Sequence, residues 1–173
     1  MEDECAPGHL SSFRSGRTLA PGVGGHSLTP AEPLGEAMVY RAVIPGTPIG
    51  KGRPRFGRGR TFTPMKTAAW EKAAAWAIRQ AIPVSGLDCP MALTIDAYFP
   101  RPKAHSKRRR QRLEVQAVTP DADNIAKAVC DALEKSGAIT NDSRICYLSV
   151  RKWYPPEGEE PRVVVELSPL TGE

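Results

Sequence analysis

The chain is poor in the residues that build redox and soft-metal chemistry. Its 173 residues hold four cysteines and three histidines. Cys5, Cys89, Cys130 and Cys146 show no C-x-x-C spacing, and His9, His26 and His105 stand apart from any cysteine pair, so a zinc site is not expected and free thiols of a reducing compartment are. No apolar run approaches the ~20 residues that cross a bilayer, and no membrane association is expected. The opening Met-Glu-Asp-Glu-Cys lacks the basic-then-apolar order of a secretory signal, which points to the cytoplasm. G-x-x-x-x-G-K-[ST] is missing, which excludes a Walker loop.

What is present is cationic charge, unevenly placed. The whole chain carries +5, but residues 1–37 set Arg14 and Arg17 against Glu2, Asp3, Glu4, Glu32 and Glu36. That segment is therefore −3 and the remainder +8. Residues 1–37 are also rich in Gly, Pro and Ser without periodicity, too little apolar surface to repay ordering. They are expected to be a disordered extension ahead of one domain over 38–173, with Met38 placed as an alternative start. A basic domain of this kind suits a polyanionic partner.

The periodicities give an α+β order. Met38–Ile44 reads as a strand, and a helix runs from Thr63-Pro64 to Ile82 with Thr67, Trp70, Ala74, Ala77, Ile78 and Ala81 on one stripe. Trp76 lies off that stripe. Met91–Phe99 alternates as a half-buried strand with Asp96 outward, and Arg144–Tyr154 and Pro161–Leu167 follow as strands. With a helix over the 121–136 stretch, the order β-α-β-α-β-β predicts a mixed sheet with two main helices on one side.

Two basic segments lie between these elements. Lys51, Arg53, Arg55, Arg58 and Arg60 alternate with Gly and Pro, so that loop can approach a backbone and donate forked hydrogen bonds to phosphates. Arg101, Lys103, Lys107, Arg108, Arg109, Arg110 and Arg112 form a denser run, expected to stay mobile until a polyanion orders it. A flexible solvated loop and a nuclear-localisation signal match the same compositions, but neither explains the acids that follow.

Those acids lie in Thr119–Asp142, T-P-D-A-D-N-I-A-K-A-V-C-D-A-L-E-K-S-G-A-I-T-N-D. At about 100° per residue, Asp123, Lys127 and Asp131 make one row of a helix, opposite Ile125, Val129, Ala132 and Leu133. Asp121 falls at the helix start, and Asp142 follows an expected stop at Gly137. Dipole-favoured acids and an i,i+4 pair account for any two of these residues, but less well for all five. Carboxylates gathered at one spot repel unless a cation compensates them, and Mg²⁺ is the usual hard-oxygen choice. The pattern is not a calcium loop, because D-x-[DN]-x-[DN]-G fails at Ile125 and Ala126.

The string P-D-A-D-N-I-A-K-A-V-C-D-A-L, followed by N-D-S, resembles the signature of the RusA family of Holliday-junction resolvases. The resemblance runs from about Met38 to near the C-terminus. It implies a RusA-like fold and a homodimeric endodeoxyribonuclease of bacteria and phages, acting on four-way branched DNA by paired symmetric nicks in recombination and repair. It also implies dependence on Mg²⁺, with Mn²⁺ as a substitute. Asp121, Asp123 and Asp142 would hold metal, Lys127 would serve in the site, and Asn124 and Asp131 would support it. K-G-R-P-R resembles the segment through which such proteins contact DNA, so Lys51, Arg53, Arg55, Arg58 and Arg60, with Lys107, Arg108, Arg109 and Arg110, are the expected DNA contacts. Many relatives carry two adjacent acids where this chain has Asn141-Asp142, so Asn141 is left outside the metal shell. Spacing and charge alone reach a divalent-metal enzyme on nucleic acid. The competing reading is a non-catalytic binder of branched or single-stranded nucleic acid, which would need the basic loops but not the acids.

Overall fold

The computed structural model describes residues 38–52, 55–57, 60–62, 64–83 and 85–170. Residues 1–37, with the expected disordered extension, lie outside the described residues, as do Arg53, Arg58 and Thr63, the expected helix cap.

The α+β reading holds, with a mixed five-stranded sheet at the centre. Strand β1 covers Tyr40–Pro45; β2 (Arg55–Gly57) and β3 (Arg60–Phe62) form a small antiparallel hairpin. Helix α1 spans Met65–Ala81, with Pro64 at the N-cap, one position earlier in the helix numbering than the sequence suggests. Then come β4 (Met91–Tyr98), the short helix α2 (Lys107–Arg110), β5 (Glu114–Val115), α3 (Ala122–Ser136), β6 (Ile145–Tyr154) and β7 (Arg162–Pro169). The sheet order is β1-β7-β4-β6-β5. β4 pairs antiparallel with β7 and parallel with β6. A parallel pair needs a crossover, and α3 lies within that connection.

β4 shows how the sheet is oriented. Met91, Leu93, Ile95 and Ala97 are fully buried, while Ala92, Thr94, Asp96 and Tyr98 are half-exposed. The buried face meets Ala42 and Ile44 of β1, Val163, Val165 and Leu167 of β7, and the apolar rows of α1 and α3. At ~25 cal/mol per Å² of apolar surface removed from water, this face is what holds the helices on. Ile125, Val129, Ala132 and Leu133 of α3 are all buried, as the periodicity requires. On α1 the stripe differs in detail: Thr67, Trp70, Ala74 and Ile78 are buried, but so are Glu71 and Ala75, whereas Ala81 is exposed. Trp76 stands out in solvent, 68% exposed.

The run 101–112 is not a loose arm. It contains α2 and leads into β5, and its arginines are used internally. Arg101 donates to Glu114, to the Pro155 and Tyr154 carbonyls and to that of Arg112. Arg109 pairs with the Glu114 carboxylate, and Arg110 bonds the His105 and Lys103 carbonyls and Glu157. Glu114 is held down at about 2, chiefly by its hydrogen bonds from Arg109. The expectation of mobility counted cations and overlooked two acids, Glu114 and Glu157, that neutralise them from the flanks. Among the described residues Lys107 and Arg108 make no ion pair, and both are exposed.

Candidate metal and nucleic-acid site

The N-terminus of α3 is set by a clamped loop. Asp121 occupies the N-cap in extended conformation, exposed and without a side-chain capping bond. Before it, three successive carbonyls are pinned. Lys152 of β6 donates to Val118 O at 2.7 Å and Pro120 O at 2.9 Å, while Gln116 Nε2 donates to Thr119 O at 3.1 Å. Gln116 is itself buried, and its backbone N–H bonds Lys152 O. The extended approach to the helix is thereby fixed from β6.

Past that cap the polar row emerges as the 3.6-residue period demands. Asp123 and Lys127 are exposed, and Lys127 Nζ donates to Asp123 Oδ2 at 3.2 Å. That hydrogen bond is the leading cause that lowers the Asp123 pKa below its ordinary value. Asp131, two turns on, is only partly exposed.

Asp142 returns to the same helix through a braced turn. Gly137 adopts φ +79°, the left-handed conformation that ends helices, and its N–H and that of Ala138 reach back to Glu134 O and Leu133 O. Residues 137–140 then bond the 86–87 segment. Asp88 accepts from Thr140 Oγ1 at 2.6 Å and from Arg144 Nε at 2.7 Å. Asn141 caps a single 3-10 turn at Asp142–Arg144 by accepting from Ser143 N. Glu134 Oε1 accepts from the backbone N–H of Asp142 at 2.7 Å, which ties the residue to the last turns of α3.

The outcome is an open cleft of about 220 Å³ lined by Asp123, Ala126, Lys127, Cys130, Asp131, Asp142 and Leu148. Asp142 is close enough to act on Cys130, whose thiol is pushed up to about 11 by burial first and then by the charges of Asp142 and Glu134. So Asp123, Lys127, Asp131 and Asp142 are brought together, while Asp121 stands at the helix cap outside that lining. Among the described residues no three Asp, Glu, His or Cys side chains converge tightly enough to hold a metal ion. Like charges without a counter-ion keep apart, and Asp123 turns to Lys127 instead. The charged donors at hand are carboxylates, which fit a hard divalent cation, while the Cys130 thiol beside them stays protonated at neutral pH.

Other expected residues take varied places. Asn124 sits in the first turn of α3, and its carbonyl accepts from Lys51 N at 2.8 Å. The Lys51 ammonium lies against Glu71 and Asp131. Arg55 and Arg60 belong to the β2–β3 hairpin. Asp96 is not solvated: Arg151 grips both its oxygens, and Trp153 Nε1 donates to it at 2.8 Å.

Two residues escaped the sequence reading. Lys152 gave no signal, as one of two adjacent cations on a strand. Glu71 gave one: it lies four residues after Thr67 and three before Ala74, on the buried stripe itself.

Comparison with known proteins gives the family. The family described as Endodeoxyribonuclease RusA matches residues 45–168, well over half of the chain. The crossover junction endodeoxyribonuclease RusA of Aquifex aeolicus (strain VF5) is 30% identical over 87 residues, 50% of this chain and 57% of that protein. The protein of the same name from Escherichia coli (strain K12) is 29% identical over 106 residues, 61% of this chain and 76% of that one. The counterpart from Enterobacteria phage 82 is 28% identical over the same length.

Proposed function

We propose, because this chain belongs to the endodeoxyribonuclease RusA family, that it is a Mg²⁺-dependent endodeoxyribonuclease that resolves four-way DNA junctions by paired symmetric nicks. The observation that carries this reading is the single cleft in which Asp123, Lys127, Asp131 and Asp142 meet, within the stretch that the family covers.

Asp123 and Asp142, with Asp121 at the adjoining helix cap, would hold the cation. When bound, it supplies Lewis acidity and a lowered water pKa at the phosphodiester, with Mn²⁺ able to substitute. The chain itself does the rest. With Asp123 engaged elsewhere, the Lys127 ammonium is released to donate to a phosphate oxygen on which negative charge develops. Ala126 and Leu148 give the cleft an apolar wall, which strengthens those contacts by thinning the water around them. Lys152 and Gln116 keep the approach to Asp121 from sagging. Exposed Lys107 and Arg108 of α2, with the β2–β3 hairpin that carries Arg55 and Arg60, contact the DNA arms.

Two nicks placed symmetrically need two copies of the cleft, so the acting species is a homodimer whose twofold axis matches the junction. No helix among the described residues is long and apolar enough to cross a membrane. Relatives from bacteria and a phage support a place in the bacterial cytoplasm, in DNA recombination and repair.

The test is cleavage of a synthetic four-way junction with and without Mg²⁺ by wild type and Asp123→Asn. The expected result is paired nicks only for wild type with Mg²⁺, while Asp123→Asn still binds the junction. A protein that binds junctions and cuts in no lane would be the non-catalytic binder instead.

A further inference from the structure

The least expected charge in the molecule is Glu71. It lies in the middle of α1, its side chain is 1% exposed, and it faces α3 rather than solvent. Burying a carboxylate costs several kcal/mol unless it is paired. Glu71 has two partners from different elements: Lys135 at the end of α3, and Lys51 from the loop after β1, whose Nζ is 3.3 Å from Glu71 Oε1. The same Lys51 ammonium contacts Asp131 Oδ2. Neither Glu71 Oε1 nor Asp131 Oδ2 makes a hydrogen bond to any other group among the described residues, so each oxygen relies on Lys51.

The backbone around Lys51 is fitted to this task. Its N–H bonds Asn124 O in the first turn of α3. A Cβ added to Gly50 would come within 2.7 Å of Pro120 Cβ and 3.1 Å of Asn124 Cβ, and one on Gly52 within 3.1 Å of Pro64 Cγ. The two glycines let the loop thread between the cap of α1 and the cap of α3, and only Lys51 between them points a side chain into the seam.

We propose that Glu71, Lys51 and Asp131 form a relay of alternating charge running from the α1–α3 seam to the cleft, in which Glu71 and Lys51 are positioning residues for Asp131. One Asp131 oxygen is held by Lys51, and the other is left to accept a hydrogen bond from water in the cleft. Asp131 therefore orients water rather than joining Asp123 and Asp142 around a cation, because its charge is already neutralised from behind. The relay rests on the nuclease reading of the cleft.

Full-length wild type, Glu71→Gln, Lys51→Met, Asp131→Asn and the pair Glu71→Leu with Lys51→Met are compared on the four-way junction, with melting temperatures measured alongside. Each single substitution is expected to slow single-turnover cleavage about 10- to 100-fold. Junction affinity without metal should stay within about threefold and the Mg²⁺ midpoint within about twofold, since neither DNA nor metal is contacted. The apolar double variant is expected to recover its melting temperature, as buried ion pairs replaced by apolar groups do, yet to cut as slowly as Lys51→Met alone. Amine acetylation followed by mass spectrometry reads the contact without activity: Lys51 should label slowly in wild type and faster in Glu71→Gln.

A folded Glu71→Gln, or a double variant with restored melting temperature, that cuts at the wild-type rate would overturn the relay and leave a purely structural network. So would a tenfold shift of the Mg²⁺ midpoint in Asp131→Asn, which would make Asp131 a ligand. A wild type that cuts no junction would overturn the nuclease reading itself, a result distinct from either.

Discussion

Two charged regions of this protein invite comparison: the 101–114 segment, where arginines crowd the surface, and the α1–α3 seam, where Glu71 and Asp131 meet Lys51 and Lys135. In the first, Arg101, Arg109 and Arg110 are bound by Glu114, Glu157 and carbonyl oxygens; Arg109, Arg110 and Glu157 reach water, while Arg101 and Glu114 are largely covered. In the second, Glu71 is buried and Lys51 and Asp131 are largely covered. Exposed pairs contribute little and are exchanged easily for water. A buried pair is costly to assemble and costly to break. The segment with the most charge in sequence is thus braced by many exchangeable contacts, while in the seam with less charge a buried carboxylate depends on a few partners.

The sharpest way to break this comparison is Asp123→Asn. Cleavage should fall by about 1,000-fold or more if the cleft carries the reaction, and junction affinity measured by gel shift should hold or rise. Next is Glu71→Ala, which strands Lys51 and Lys135. It should lower stability by about 3–5 kcal/mol in urea unfolding, whereas Arg109→Ala on the surface segment should cost far less. A similar loss from both would erase the contrast.

Lys152→Met comes third. It frees the carbonyls before Asp121, and the expected loss is about 10-fold in cleavage rate with an upward shift of the Mg²⁺ midpoint. Fourth, the surface clamp has its own pH window. Glu114 has a lowered pKa, about 2, so its contribution is fully present above the unfolded carboxylate range near ~4.3 and is lost as pH falls through about 2. Proteolysis of the 101–114 segment should accelerate across that window in wild type, and be fast at neutral pH in Glu114→Gln. The smallest effect is on thiols. Exposed Cys146 should react with a maleimide at pH 8 well before Cys130, whose thiol is pushed up to about 11.

How much of this the sequence disclosed follows the range of the interactions. The apolar row Ile125–Val129–Ala132–Leu133, the stop at Gly137 and the alternation of β4 are local patterns, and the folded chain has all of them. The strand order is not local. Nothing in Met91–Phe99 says that β7 and β6 flank it on either side, because those pairings are chosen by distant segments. The site divides the same way. Asp123, Lys127 and Asp131 lie on one face by helical period alone, but Asp142 joins them only through Asp88, Thr140 and Glu134, three residues with no signature. Charge counting failed at 101–112 because it weighed cations without their partners. It also passed over Glu71, although an acid on an apolar stripe is the kind of exception that signals a buried pair.

The central claim is that Asp142, delivered by that braced turn, completes with Asp123 the place where DNA is cut. It is tested most directly by single-turnover nicking of a four-way junction by Asp142→Asn across a Mg²⁺ titration, with junction binding measured on the same preparation. The account predicts binding retained and cleavage abolished at every Mg²⁺ concentration. Cleavage at the wild-type rate and midpoint would contradict it.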